Sequence, residues 1–537
     1  MKNNIFLLIA ASIFILSFSS CDDLLDVTPK DKITPETFFS TEADLQAFST
    51  NFYNSLPKDR DLYKDDADNI THSTPNSAAT DSRTVPASGG GWEWGYLRRF
   101  NTLLQYSVNC KDKTVRTRYQ ALTRFFRAYF YFEMVKRFGD VPWYDTELFV
   151  SETDQLNKPR DSRELVMKNI LEDLDFAITN LSTTPSVYTV TKWTALSLKS
   201  RVCLFEGTFR KYHNLNLSTN ADFFLQESIT ASRELMKESN YTLYTEGGTN
   251  QAYRKLFTSQ NAPTTEVIMA RNYNLTYDIY NTVGTYHTSV GEGRPGVTRK
   301  IIASYLMNDG SRFTDNPNWE TMTFVDECKN RDPRLTQTVF YHNSRWLKAT
   351  VDISEGGKDN NSINPAREGN RTKTGYYLKR HLAENEEDTQ FGKTNFHSSI
   401  VSSWPVVRYA DILLMYAEAQ TEYLNKAQGA SIINDELVYK SIEMVRQRAG
   451  LNPYTLKRGM SYDQLIKLIR NERRCEFAFE ESRFWDIRRW KIANDVYSKP
   501  LHGVKITKKE DGTFHYDYNM EVAKPYWDDR MYRLPID

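Results

Sequence analysis

The chain has 537 residues, enough for two or more ordinary domains or for one large core built from repeats, and it carries 69 Lys and Arg against 69 Asp and Glu. That balance argues against nucleic acid as a partner, because phosphate binding needs cations in excess on one face. Aromatic residues are the skewed quantity, with 32 Tyr, 29 Phe and 10 Trp, and helical cores absorb much of such content in packing.

Residues 1–20 read as an export signal: Lys2, an unbroken apolar run from Ile5 to Phe18, then Ser19 and Ser20. Cys21 follows at once, ahead of Asp22 and Asp23, and supplies a thiol for acylation, as by palmitate. The chain is therefore expected to be a lipoprotein whose mature form starts at Cys21. A plain secretory signal with an incidental cysteine is the alternative, and Phe18 stands where Leu is commonest in bacterial lipoprotein signals. The apolar run is shorter than the about 20 residues that span a bilayer. Losing residues 1–20 removes Lys2 and no acid, so the mature chain stays near neutral and the lipid is left as the anchor.

Residues 21–40 read as an exposed tether, and a first helical segment is expected over 42–56. Residues 57–95 are rich in Asp, Asn, Ser, Thr and Gly without a sustained period, and end in Gly89-Gly90-Gly91-Trp92-Glu93-Trp94-Gly95. A loop of that length inside a compact protein is usually functional or disordered, and two tryptophans at its end favour function.

Helical patterns then dominate to about 240. The segment 118–138 is apolar nearly all round, with Leu122, Phe125, Phe126, Tyr129, Phe130, Phe132 and Val135, so it is expected between other helices and to stop at Gly139. Val166, Ile170, Leu174, Ile178 and Leu181 mark an amphipathic helix, with Asp161 and Glu164 as its capping box. Its successor spans 191–206, with Gly207 expected as a left-handed cap. Residues 241–404 change character, with many Asn, Thr, Gly and Tyr and short possible strands such as 266–272. Helices return over 407–424, 434–449 (capped by Gly450) and 462–479, the last behind a Ser461–Gln464 capping box. The fold class expected is mainly α: a tetratricopeptide-like scaffold of helical hairpins, about 41–56, 96–240 and 405–495, with a large irregular lobe, about 57–95 and 241–404, containing a few short strands. Cys110, Cys203, Cys328 and Cys475 show no CxxC or zinc-like spacing, so neither a metal site nor a cofactor is expected. Cys203, within Val202-Cys203-Leu204-Phe205, reads as a small buried hydrophobe.

Several segments together resemble the SusD-like (RagB/SusD) outer-membrane lipoproteins of the Bacteroidetes. They are Arg124–Phe132 leading to Arg137-Phe138-Gly139-Asp140-Val141-Pro142; Thr191–Leu196 leading to Lys199-Ser200-Arg201; Arg408–Ala419; Val445–Gly450; and Glu472–Glu480 continuing through Arg483–Trp490. The resemblance covers nearly the whole mature chain and makes 41–537 one SusD-like domain. Opposite charges at helical spacing in these motifs read as an internal ion-pair network around buried aromatics. The resemblance implies a cell-surface, lipid-anchored protein of the outer membrane that captures a glycan and sits on a SusC-like TonB-dependent transporter, its helical repeats facing the barrel and its irregular lobe holding the ligand.

Sugar rings stack on aromatic faces and their hydroxyls seek amide, carboxylate or guanidinium partners. The resemblance points to Trp92, Trp94, Tyr96 and Asn101 as one set of binding residues and to Tyr280, Tyr286 and Trp319 in the middle lobe as another; Asp81 and Arg83, on the loop before the glycines, are candidate hydrogen-bonding groups, with solvated loop charges as the competing role. Packing under the loop is the competing role for the two tryptophans. No GxSxG elbow, HExxH pair, phosphate loop or dinucleotide fingerprint occurs, so the chain does not read as an enzyme. The alternative reading is a tetratricopeptide-type protein-interaction subunit of an outer-membrane complex, without glycan affinity of its own.

Overall fold

The computed structural model describes residues 38–58, 67–71, 90–281, 283, 296–346, 349–357, 372–382 and 401–533. Cys21, Asp81, Arg83 and Tyr286 lie outside the described residues. The principal helices are α1 (Glu42–Thr50), α2 (Gly95–Tyr106), α3 (Lys113–Phe138), α4 (Arg163–Asn180), α5 (Lys192–Tyr212) and α6 (Ala221–Glu238). After the irregular lobe, which includes the short α7 (Arg299–Ser304), come α8 (Tyr409–Gln428), α9 (Glu436–Ala449), α10 (Tyr462–Glu476) and α11 (Ser482–Arg489).

The architecture is mainly α, as the periodicity predicts. Helix α3 lies between α2 and α4, α5 pairs with α6, and α6 packs on α8, which also contacts α9 and α10. One apolar core runs through all of these hairpins, from Phe39 to Phe477. A second core gathers Ile301, Tyr305, Phe324, Phe340 and Tyr376 from the irregular lobe with Cys475, Phe479, Val504 and Ile506 from the C-terminal part. The lobe is closed at its base by an antiparallel pair, β1 (Val267–Arg271) with β2 (Trp404–Arg408), which brings together the two ends of a 130-residue excursion to within strand distance. The expected strand at 266–272 is thus present, and its partner is the segment leading into α8.

Of the expected helix caps, two form as read and two do not. Ser461 and Gln464 form the expected reciprocal box, and Gly450 ends α9 in the left-handed conformation at φ 89°. At α4, however, Ser162 is the cap, accepting from Leu165 N, while Asp161 accepts from Trp143 N at 2.7 Å. Gly207 is not a cap either: α5 continues through it to Tyr212. A Cβ there would lie 2.9 Å from Leu225 Cγ and 3.1 Å from the Ala221 carbonyl oxygen, so the glycine permits the close approach of α6.

The charged motifs form ion pairs in the interior. Glu476 accepts from Arg334 at 2.8 Å, Arg408 at 2.5 Å and Arg448; Arg408 also reaches Glu266 at 2.9 Å and Glu480 at 2.9 Å. A second group joins Glu418 to Arg489 and Arg473, both shared with Asp486. Burial works to raise the Glu476 carboxyl, and the three guanidinium groups outweigh it and hold it well below the usual carboxylate range. The described cysteines 110, 203, 328 and 475 are all free thiols, and Cys203 is fully buried.

Within the long loop, residues 67–71 are fixed by the C-terminal motif. Asp68 is fully buried and receives Arg483 at 2.9 Å and Arg474 at 3.0 Å, with Lys300 at 3.4 Å. Ile70 and Thr71 pair with Val297 and Gly296.

Candidate functional site

Gly90 and Gly91 adopt positive φ, turning the chain so that Trp92 and Trp94 lie against the C-terminal half of α3 before α2 begins at Gly95. Trp92 meets Phe138 edge-on at 5.0 Å and Trp94 edge-on at 5.1 Å. Trp94 in turn contacts Phe130 and Tyr144, each at 5.6 Å, and Tyr131 at 6.3 Å. Trp143 stacks on Tyr131 at 4.2 Å. Trp92, Trp94, Trp143 and Tyr144 are each only half-buried, so the cluster is both packing and surface.

Its rim is polar and partly apolar. Lys158 Nζ lies 4.9 Å from the Tyr144 ring centre, Arg98 pairs with Glu147 at 3.2 Å, and the Arg98 guanidinium lies 5.9 Å from the ring of Phe149, which is 46 % exposed. Asp145 and Thr146 are exposed beside Tyr144. Burial raises the Tyr144 and Tyr131 hydroxyls above their ordinary value, so both stay protonated at neutral pH and able to donate.

Asn101 is 1 % exposed and supports this surface from behind. Its amide donates to the carbonyls of Tyr144 at 3.0 Å and Thr146 at 2.9 Å, and its oxygen accepts from Arg127 at 3.3 Å. Arg127 is itself clamped by Asp173 through bonds of 2.7 and 2.8 Å. The side chain fixes the 144–146 segment, and its own hydrogen-bonding groups are occupied within the protein.

Tyr96 stacks on Phe100 at 6.2 Å and faces a different feature, a crevice of about 740 Å³. Gly90, Gly91 and Glu93 share that wall, whereas Trp92 and Trp94 do not. Asp411 and Arg201, paired at 3.1 Å, also line it. Burial raises the Asp411 carboxyl despite the pull of Arg201 and Arg408.

In the middle lobe, Trp319 is half-buried with the Arg299 guanidinium 4.6 Å from its ring centre, and Arg299 donates to the Trp319 carbonyl at 2.6 Å. Tyr280 is 39 % exposed. Trp92 and Trp94 are therefore brought together at the start of α2, with Tyr96 turned to the neighbouring crevice, and no ring contact or hydrogen bond among the described residues joins the three to Trp319 or Tyr280. Trp143, Tyr144 and Phe149 were not legible as site residues. The available signal was their position directly after the Gly139-Asp140-Val141-Pro142 stop of α3. Among the described residues no group of His, Cys, Asp or Glu could hold a metal ion, and no helix is long and apolar enough to cross a membrane.

Residues 256–537 match the sequence profile of the SusD family, and residues 23–204 match a profile described as starch-binding, associating with outer membrane. A SusD-like protein of Formosa agariphila is 24 % identical over 500 residues, covering 90 % of this chain and 91 % of its own. Among solved structures, a SusD-like protein of Bacteroides fragilis superposes with a TM-score of 0.74 at 25 % identity, covering 95 % of this chain and 96 % of the other. A SusD-like carbohydrate-binding protein of the same species gives 0.73 at 21 % identity, covering 93 % and 98 %.

Proposed function

The chain belongs to the SusD family, and from that premise we propose that it captures oligosaccharide on its Trp92, Trp94 and Tyr144 surface and passes it to a SusC-like TonB-dependent transporter. In this reading Cys21 carries the lipid, the outer membrane is the site of action, and the helical hairpins face the barrel. The observation that carries it is the half-buried ring cluster at the start of α2, rimmed by Arg98, Glu147, Asp145 and Lys158 and braced by Asn101. Such an arrangement offers aromatic faces to sugar C–H groups and charged partners to hydroxyls. Tyr96 lines the neighbouring crevice, and Tyr280, Tyr286 and Trp319, with Asp81 and Arg83, are proposed to add contacts from the lobe. The ligand is bound and released without covalent chemistry. A similarity to a protein described as carbohydrate-binding supports the ligand class.

The test is affinity electrophoresis of purified protein across a broad glycan panel, beside a Trp92→Ala/Trp94→Ala variant, with released sugar assayed in parallel. Loss of an aromatic anchor at a binding centre costs about 2 kcal/mol or more, roughly thirtyfold in affinity. Binding without hydrolysis, lost in the variant, is the expected result. Binding that survives in the variant removes the ring cluster from the site, and no binding across the panel transfers the case to a tetratricopeptide-type interaction subunit.

A further inference from the structure

A second cavity, of about 790 Å³, opens on another part of the molecule, between α7, the 306–314 turn, the 456–460 segment and one side of α10. No aromatic side chain lines it, so ring stacking is not its mode of recognition. Its walls are cationic. Arg312, Lys457 and Lys467 are exposed and enter no ion pair among the described residues, although Asp463 stands one helical turn from Lys467. Lys300 and Arg474, also in the wall, are already paired with Asp68.

The floor carries Arg446, which is only 4 % exposed. Its Nε donates to the Tyr454 carbonyl at 3.3 Å, and Nη1 lies 3.8 Å from Glu472, which is held more closely by Arg334 at 2.7 Å. Nη2 donates to nothing among the described residues. That nitrogen sits where Gly310, at φ 83°, leaves room: a Cβ at position 310 would be 2.6 Å away. The site therefore combines a buried guanidinium with an uncommitted N–H edge and three unpaired cations above it. Of the two acids in the lining, Glu472 is paired, and Asp463 has no cationic partner among the described residues. Thr314 and the Gln464 amide add neutral polar groups.

We propose that this cavity binds an anionic unit of an oligosaccharide, its carboxylate or sulfate groups received by Arg446 on the floor and by Arg312, Lys457 and Lys467 at the rim. Charge-assisted hydrogen bonds of this kind are the strong ones, and the volume falls in the range of ordinary ligand pockets. The proposal rests on the glycan-capture reading, and it adds a second point of contact distinct from the aromatic surface.

Isothermal titration of the full-length protein in detergent with tetragalacturonate, a sulfated carrageenan tetrasaccharide, cellotetraose and maltotetraose tests it. The comparison is an Arg312→Ala/Lys457→Ala/Lys467→Ala variant, whose substitutions are on the surface and leave the melting temperature unchanged. Binding of the uronate or the sulfated probe, weakened at least tenfold in the variant and by added salt, is the expected result, and the arm that responds identifies the anionic group. Equal binding to both proteins overturns the inference, as does binding of the neutral probes alone, which leaves glycan capture standing. Failure of all four probes also overturns the inference, and glycan capture itself is then decided by the broad panel.

Discussion

Glu476 is the residue whose loss the structure prices most directly. It is fully buried and accepts from Arg334, Arg408 and Arg448, so Glu476→Gln keeps the shape of the side chain while stranding three guanidinium groups around a neutral amide. Breaking a buried ionic cluster by removing one partner costs about 3–5 kcal/mol. For a chain of 537 residues, an unfolding entropy near 2.1 cal/mol/K per residue gives about 1.1 kcal/mol per kelvin, so the melting temperature is expected to fall by roughly 3–4 °C. Differential scanning calorimetry at pH 7 reads this, with Glu436→Gln as the control. Glu436 lies on the surface and pairs with Arg458 there, so its loss is expected to leave the transition where it is. A Glu476→Gln protein that melts with the wild type would refute the argument, because it would mean that desolvation of the cluster cancels its Coulombic gain.

Acid should act through the same groups. Glu476 and Asp68 are both held below their ordinary values, burial being outweighed in each case by neighbouring arginines. A carboxylate depressed in the folded state contributes stability that is present above its unfolded value, about 4, and disappears as pH falls through the folded one. The melting-temperature gap between the wild type and Glu476→Gln is therefore expected to be constant from pH 7 to about 5 and to shrink progressively below about 4; a gap that widens between pH 5 and 3 would contradict it. Asn101→Ala removes a donor from the Tyr144 and Thr146 carbonyls and an acceptor from Arg127, leaving the Tyr144 carbonyl only the Tyr131 hydroxyl at 3.3 Å and Arg127 Nη1 only the Asp145 carbonyl at 3.5 Å, a loss of about 1–3 kcal/mol that calorimetry detects. Glycan affinity in that variant should fall only through displacement of Tyr144, so Tyr144→Ala in the same background should add less than it does alone.

Local patterns were legible where a single element decides them. The apolar spacing from Val166 to Leu174 and the Ser461–Gln464 box each describe one helix, and both appear as read. Gly207 was misread because a glycine near the end of an apolar period has the same signature whether it caps the helix or admits a neighbour. Only the position of Leu225 distinguishes the two. Residues 57–95 read as a long polar loop with no sustained period, and the fixed place of Asp68 in it was not legible because its partners stand more than 400 residues away in sequence, at Arg474 and Arg483. The candidate surface was legible by half for a similar reason. Trp92 and Trp94 stand out as paired tryptophans after three glycines, but Trp143 and Tyr144 reach them only because α2 and α3 pack together.

The Asp68 anchor also has a mechanical meaning. A pull on residues 67–71 is resisted by two arginines projecting from α10 and α11 and by the pairing to residues 296–297, so the force passes into the helical frame and does not stretch the loop alone. Arg474 and Lys300 meet at this same carboxylate, which makes Asp68 the point where a load on the first third of the chain, on the lobe and on the C-terminal helices is shared. Tension applied at the surface is thereby spread over three distant stretches of backbone, each of which would have to yield before the segment came free.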